Sequence, residues 1–224
     1  LLDTAPQLAV FVLTVSINYY ARGKPVSEAK KGTSDRILDA ALELFVQEGF
    51  EETPMDAVAE RAGVAKGTLY YHYKSKEGIV DALVERYASE MKAKIEPLLA
   101  DSTLDFANKY ESLAKTLSAY NHATLSRLHK IRRVDIHQKT ALAAIQTITP
   151  LCVRLIEDGA RAGACKAEGV REFVEIHVAA SQFLLDPEYG RERLAARAEA
   201  LDRLSEIILG LQPGTLKAHG WTGK

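Results

Sequence analysis

Cysteine, methionine and tryptophan are scarce in this 224-residue chain, at two, two and one residues. Cys152 and Cys165 lie in sequence of helical pattern and lack metal-ligand spacing. That argues against both a disulfide-stapled scaffold and a zinc-built one, and it fits a reducing cytoplasm. Both cysteines read as buried or indifferent thiols. An excess of charge of either sign is also missing. With 29 Lys and Arg against 30 Asp and Glu the formal net charge is -1, so any surface that attracts nucleic acid must be local. The apolar run from Leu8 to Ile17 is well short of the roughly 20 residues that cross a membrane. No basic segment precedes it and no small-residue cleavage site follows it, so neither a span nor a signal peptide is expected. Residues 1–31 read as an extension outside the domain proper. His122, His129, His137 and His177 are scattered without zinc spacing, and no metal or cofactor is expected. No nucleophile stands beside a base and an orienting third group, so no catalytic residue is assigned. Strand signals, repeats and low-complexity tracts are sparse or missing.

What is present is helical periodicity on a composition that is 47% hydrophobic and 26% charged, ordinary for one or two globular domains with a real core. Ile37, Leu38, Ala41, Leu42, Leu44 and Phe45 recur at helical spacing, with Ser34 or Asp35 as N-cap and Gly49 as stop. Thr53 and Pro54 then pair a capping hydroxyl with a proline at the first position of a second helix, which runs to about Ala62. Gly63 offers a tight turn, Val64 an apolar anchor, and a third short helix runs from Ala65 to Tyr71 or His72. Three short helices in this order read as a helix-turn-helix module. A long amphipathic stretch follows from Lys76, carries Ile79, Val80, Leu83, Tyr87 and Met91, and ends near Pro97. Further helical blocks are expected over Leu104–His122, Thr124–Arg132, Gln138–Ala162, Gly169–Leu185 and Gly190–Gly210. The fold class is all-α.

The segment from Ala62 to Gly78 reads AGVAKGTLYYHYKSKEG. No acidic residue lies between Val64 and Lys76, while Lys66, Lys74 and Lys76 are cationic and Thr68, Tyr70, Tyr71 and His72 offer hydrogen-bond donors. One edge of a nearly neutral chain is thus suited to phosphates. A short helix of this kind fits the major groove with its N-terminal residues at base edges, and flanking phosphate contacts set its register. Gly67, with no side chain, lets backbone come close to DNA. Taken alone, His72 would read as a solvated or core histidine; its place in this motif raises it.

This segment resembles the recognition-helix region of the TetR family of bacterial regulators. Ile37 to Phe50 resembles that family's first helix with its closing Gly-aromatic pair, and Thr53, Val58 and Ala59 sit where its second helix carries a threonine and an Ile-Ala pair. Close resemblance covers about Asp35 to Leu83. It implies that Thr53 caps the second helix and meets a phosphate, and that Lys66, Gly67, Thr68 and Tyr71 face the groove. It also implies that Tyr70 and His72 meet the DNA backbone and that Lys76 clamps another phosphate. Tyr73 stands where the family usually has phenylalanine and reads as core. Two positions depart from the pattern. Ala65 replaces a capping serine, a loss that typically costs about 1 kcal/mol of helix stability. Asp56 is acidic where many relatives carry arginine.

Beyond Leu83 the resemblance is architectural. It implies that helices after about Pro97 form a ligand pocket and that the last two long helices pair with a second subunit. The expected division is an extension over 1–31, a helix-turn-helix domain over 32–78, a ligand-binding and dimerisation domain over 79–212 and a tail over 213–224. Leu194, Ala198, Leu201, Leu204, Ile208 and Leu211 advance by alternating threes and fours, and Phe173, Ile176, Ala180 and Phe183 or Leu184 form a stripe on the helix before. Such stripes suit an intramolecular core equally well. Phe106, Tyr110, Leu113, Leu117 and Tyr120 form one candidate pocket face, Ile145, Thr149 and Cys152 another, with His177 nearby in pattern. An ordinary core looks the same. The expected function is a cytoplasmic homodimeric repressor, released from a roughly palindromic double-stranded operator by a small apolar or amphipathic effector. A ligand-independent architectural DNA-binding protein and a helical enzyme are the alternatives.

Overall fold

The computed structural model describes residues 32–120, 124, 126–131, 134–184 and 193–216. The expected extension over 1–31, His122 and the end of the C-terminal tail lie outside the described residues. Among the described residues the regular structure is helical: α1 (Thr33–Gln47), α2 (Met55–Ala62), α3 (Lys66–His72), α4 (Lys76–Ala100), α5 (Phe106–Tyr120), α6 (Ser126–His129), α7 (Val134–Arg161), α8 (Val170–Leu184) and α9 (Leu194–Leu209).

Helix α1 forms on the periodicity read from the sequence, burying Ile37, Leu38, Ala41, Leu42, Leu44 and Phe45 on one side. Its N-cap is Gly32 rather than Ser34 or Asp35. Ser34 lies inside the first turn, where its hydroxyl is 2.7 Å from the Tyr73 hydroxyl. Helix α2 ends in a left-handed Gly63 (φ 63°), and the Val64 N–H reaches back to the Ala59 carbonyl at 3.0 Å. This is the closing pattern that glycine permits without a Cβ penalty. Helix α3 starts after Ala65, which makes no side-chain cap. Helix α4 continues past Pro97 to Ala100. Pro97 and Ala93 are both exposed, so the carbonyl that proline leaves without an N–H faces water.

The chain divides into two compact units, and α4 and α7 contribute residues to both. Of the described residues, the first unit holds those from 32 to Met91 and those within Tyr120–Ala143, and so is larger than the three-helix reader. Its core is built on Ile37, Phe45, Val58, Leu69, Ile79 and Tyr87, each at most 1% exposed. Full burial of such a side chain is worth about 1.5–3 kcal/mol relative to leaving it in water. The Phe45 and Phe50 rings meet at a tilt of 56° with centroids 4.9 Å apart, which brings the turn after α1 back onto the core.

The second unit holds Lys92–Ala119 and the chain from Ala144 onward. Leu113, Leu151, Leu155, Ile156, Val174, Val178 and Leu209 are buried there. Gly159 lets α5 and α7 approach, because an added Cβ would collide with the Phe106 ring. Helix α9 ends in a left-handed Gly210, with the Leu211 N–H on the Glu206 carbonyl at 2.9 Å. Helix α7 is long and apolar enough by composition to cross a membrane, but half of its apolar window is buried inside the protein, as in a core helix.

Candidate nucleic-acid interface

The interface is assembled on the α2–turn–α3 segment. Thr53 is fully buried, and its hydroxyl donates to the Gly49 carbonyl at 2.6 Å. Pro54, not Thr53, occupies the N-cap of α2, which has no side-chain cap. The expectation that Thr53 caps α2 and meets a phosphate is therefore corrected. The chain folds back so tightly between α1 and α2 that the nearest acceptor is the Gly49 carbonyl, and the hydroxyl locks that turn.

Leu69 is fully buried and pins α3 to the core. Lys66, Gly67, Tyr71 and His72 are exposed around it, with Thr68 and Tyr70 half-buried. Tyr71 is 79% exposed and meets His72 edge-on, ring centroids 5.5 Å apart. An aromatic ring so placed contributes little to folding and presents both a π-face and a hydroxyl to a partner. Gly67 is informative by elimination. A Cβ there would meet nothing within 4 Å, and its φ is not positive. Neither packing nor backbone geometry demands glycine, which costs about 0.5–1 kcal/mol relative to alanine inside a helix.

The cations around α3 are already engaged within the protein. Lys66 Nζ donates to Asp56 Oδ2 at 2.8 Å and stands 6.0 Å from the centroid of the Tyr70 ring. The hydrogen bond to Asp56, and then its charge, raise the Lys66 pKa above its ordinary value. Lys74 closes the end of α3 through the Tyr70 carbonyl at 2.7 Å. Lys76 Nζ donates to the Phe50 carbonyl at 2.5 Å and the Glu51 carbonyl at 2.9 Å, and lies 4.7 Å from the Phe50 ring centroid. Two of its three N–H donors thus tie the start of α4 to the turn between α1 and α2, a structural duty that the sequence did not reveal. Tyr73 is half-buried rather than a phenylalanine-like core residue. Its hydroxyl has Ser34 as partner.

In the second unit, Leu113 and Thr149 are buried and Phe106, Tyr110, Leu117, Ile145, Cys152 and His177 are half-buried. Tyr120 does not join them. It belongs to the first unit, where it stacks on Tyr87 at 5.4 Å and its hydroxyl donates to Glu90 Oε2 at 2.7 Å. Its aromatic spacing on α5 looked continuous with Phe106 and Tyr110, but the last turn of that helix serves a different core. Burial pushes the Cys152 thiol up to about 12. The Tyr110 hydroxyl is driven upward by burial first, then by Cys152, Asp202 and Glu206. Those acids on α9 went unread in the sequence. Asp202, Ser205 and Glu206 are buried, with Ser205 Oγ 3.2 Å from His177 Nδ1 and Glu206 Oε1 accepting the Leu216 N–H at 2.8 Å. Thr149 Oγ1 is buried without a partner, whereas Thr140 on the same helix donates to the Ile136 and His137 carbonyls at 2.9 and 3.0 Å. Two open clefts lie elsewhere, one of about 500 Å³ against Phe45–Gly49, Lys130 and Ile131, one of about 460 Å³ against Glu157, Ala160, Arg161 and Ala167.

The stripes on α8 and α9 divide. Ile176 and Leu204 are 70% and 55% exposed, Ile208 is exposed too, and Ile207, which the heptad-like reading skipped, is 75% exposed. Ala198 is only 3% exposed and is corrected from interface to core, since it shares the inward side of α9 with Asp202 and Ser205. Phe173, Ala180 and Leu201 are half-buried. The side chain of Leu194 lies outside the described residues.

Residues 37–83 match the sequence profile of bacterial regulatory proteins, tetR family. The chain is 36% identical over 69 residues to the uncharacterized HTH-type transcriptional regulator YvkB of Bacillus subtilis (strain 168), a match that spans 31% of this chain and 36% of that protein. It is 26% identical over 148 residues to the HTH-type transcriptional repressor KstR2 of Rhodococcus jostii (strain RHA1), covering 63% of this chain and 72% of the relative. Among solved structures, an SmeT–triclosan complex superposes with a TM-score of 0.59 at 20% identity, covering 83% of this chain and 95% of that one. At that identity the likeness speaks for the fold.

Proposed function

We propose that the chain is a transcriptional regulator of the TetR family that acts in the cytoplasm as a homodimeric repressor released from a roughly palindromic operator by a small molecule. The observation that carries the DNA contact is the outward side of α3: Gly67 with open space about it and Tyr71 at 79% exposure, flanked by Thr68, Tyr70 and His72. Lys66, Gly67, Thr68 and Tyr71 are assigned to the groove, Tyr70 and His72 to the DNA backbone. Lys76 supports the surface from behind and offers its remaining donor to a phosphate.

Dimerisation is supported by Ile176, Leu204, Ile207 and Ile208, apolar side chains exposed on two neighbouring helices. Ion pairs of both signs, Arg171–Glu175 and Arg203–Glu199, lie on the same two helices. An apolar face can complement its own copy across a two-fold axis. Two reading heads so related meet half-sites about 34–36 Å apart.

The effector is assigned to the second unit, among Phe106, Tyr110, Leu113, Leu117, Ile145, Thr149, Cys152 and His177. A buried hydroxyl without a partner costs about 1–3 kcal/mol, and a ligand atom that hydrogen-bonds Thr149 Oγ1 would recover it. The buried carboxylates Asp202 and Glu206 favour an uncharged or cationic amphiphile over an anion. Fold neighbours in complex with triclosan and with stearoyl-CoA support a small-molecule ligand without indicating its charge. Helix α4 contributes to both units and follows α3 within a few residues, which supplies a route from effector to reader.

Footprinting on operator selected from random sequence tests the reading. Two symmetric half-sites are expected, and Thr68→Ala or Tyr71→Ala should cost about 1–3 kcal/mol and alter base preference. A single asymmetric contact would overturn the dimer. For release, an effector that weakens operator binding tenfold (~1.4 kcal/mol) must itself bind the operator complex tenfold more weakly. A ligand that binds the protein and leaves operator affinity unchanged does not work by this mechanism.

A further inference from the structure

Asp56 is an acidic group in ion-pair contact with the reading helix. It sits in the first turn of α2, and its carboxylate is 2.8 Å from the ammonium of Lys66, the first residue of α3. Both side chains are open to solvent, 60% and 64% exposed. The pair is therefore neither a buried core element nor a strong contributor to stability, since exposed ion pairs are screened by water and salt. Its position matters more than its strength. Lys66 is the only lysine or arginine within α3 itself, and it stands beside Gly67, where a side chain would meet open space.

We propose that Asp56 is an intramolecular competitor of DNA: it holds Lys66 in an ion pair that the duplex must displace, and so lowers the affinity of the reader for any duplex. The inference rests on the assignment of α3 to the groove. Displacement is physically cheap, because an exposed carboxylate regains its hydration when Lys66 transfers to a phosphate-rich surface. The cost is nonetheless felt at every site, whatever its sequence. Asp56 also lies near the positive end of the α2 dipole, where an acid is favourable. That gives it a second and purely structural reason to be present, which the test must separate from the first.

The experiment is a double-mutant cycle on the full chain with Asp56→Asn, Lys66→Ala and both changes, measured on operator and on random duplex over a range of salt. Asp56→Asn should tighten binding to both duplexes roughly two- to fivefold at low salt, the gap closing as salt rises. The gain should vanish when Lys66 is already alanine. A gain that persists without Lys66 would mean simple repulsion of phosphates by Asp56 and would overturn the proposal. No gain, or weaker binding, would overturn it too and leave Asp56 with its helix-dipole role. Asp56→Ser, which restores a good residue to the start of a helix, checks that neither outcome is a folding effect; melting curves of all variants accompany the cycle. If the parent protein shows no salt-dependent affinity for duplex DNA, the assignment of α3 fails first, and that result is distinct from an unchanged Asp56→Asn.

Discussion

Helices α3 and α9 treat the boundary between protein and water in opposite ways. In α3 the buried residue is leucine and the outward side carries Lys66, Tyr71 and His72, a normal polarity made unusual only by the exposed tyrosine ring. In α9 part of the polarity is reversed. Asp202, Ser205 and Glu206 face inward and Leu204, Ile207 and Ile208 face water. Exposed apolar side chains are common singly, and several on two neighbouring helices are the feature from which a covered surface is proposed. On the proposed reading the two regions meet different partners, a polar polyanion for one and an apolar copy of the same face for the other. Each departs from ordinary surface chemistry at the residues assigned to that partner.

The largest effect should follow from making α9 ordinary. Ile207→Asp places a charge in the middle of its exposed apolar side without touching the protomer's core. Sedimentation should then report monomer at micromolar concentration, and operator affinity should fall at least a hundredfold, about 2.7 kcal/mol, with the melting curve of the isolated protomer little changed. A variant that stays dimeric would move the interface elsewhere.

A smaller effect is expected where the two duties of the reader meet. Lys76→Ala removes donors to the Phe50 and Glu51 carbonyls and the ammonium near the Phe50 ring. Chemical denaturation should show a loss of about 1–2 kcal/mol. Binding should weaken alike on operator and random duplex, and the salt slope should shrink by about one unit if its remaining donor meets a phosphate. Stability loss with an unchanged slope would confine Lys76 to the structural duty.

Gly67→Ala is the finest probe, because its two consequences have opposite signs. A methyl group finds open space, so the helix should gain about 0.5–1 kcal/mol. DNA affinity should fall at the same time. A variant that is more stable and binds equally well would show that no backbone approaches that point.

Helix class and the place of the reading helix were legible in the residues because they depend on short-range physics. The spacing of Ile37, Leu38, Ala41 and Phe45 belongs to one helix, and Gly63 closes the next by a conformation open to a single residue. Thr53 shows where local reasoning stops. A threonine before a proline suits an N-cap, yet its hydroxyl goes to Gly49 because the turn folds back on itself. Tyr120 shows the same at longer range, since its partners Tyr87 and Glu90 lie on another helix. In α9 the spacing of Leu204 and Ile208 revealed a stripe but not its direction. An amphipathic helix can present either side to its own core, and the choice is made by what stands opposite. By itself the sequence determined helices, turns and a reading motif, which are encoded by neighbours along the chain. Only the tertiary structure decided that Asp202, Ser205 and Glu206 turn inward and Ile207 outward, because that depends on packing partners far away in sequence.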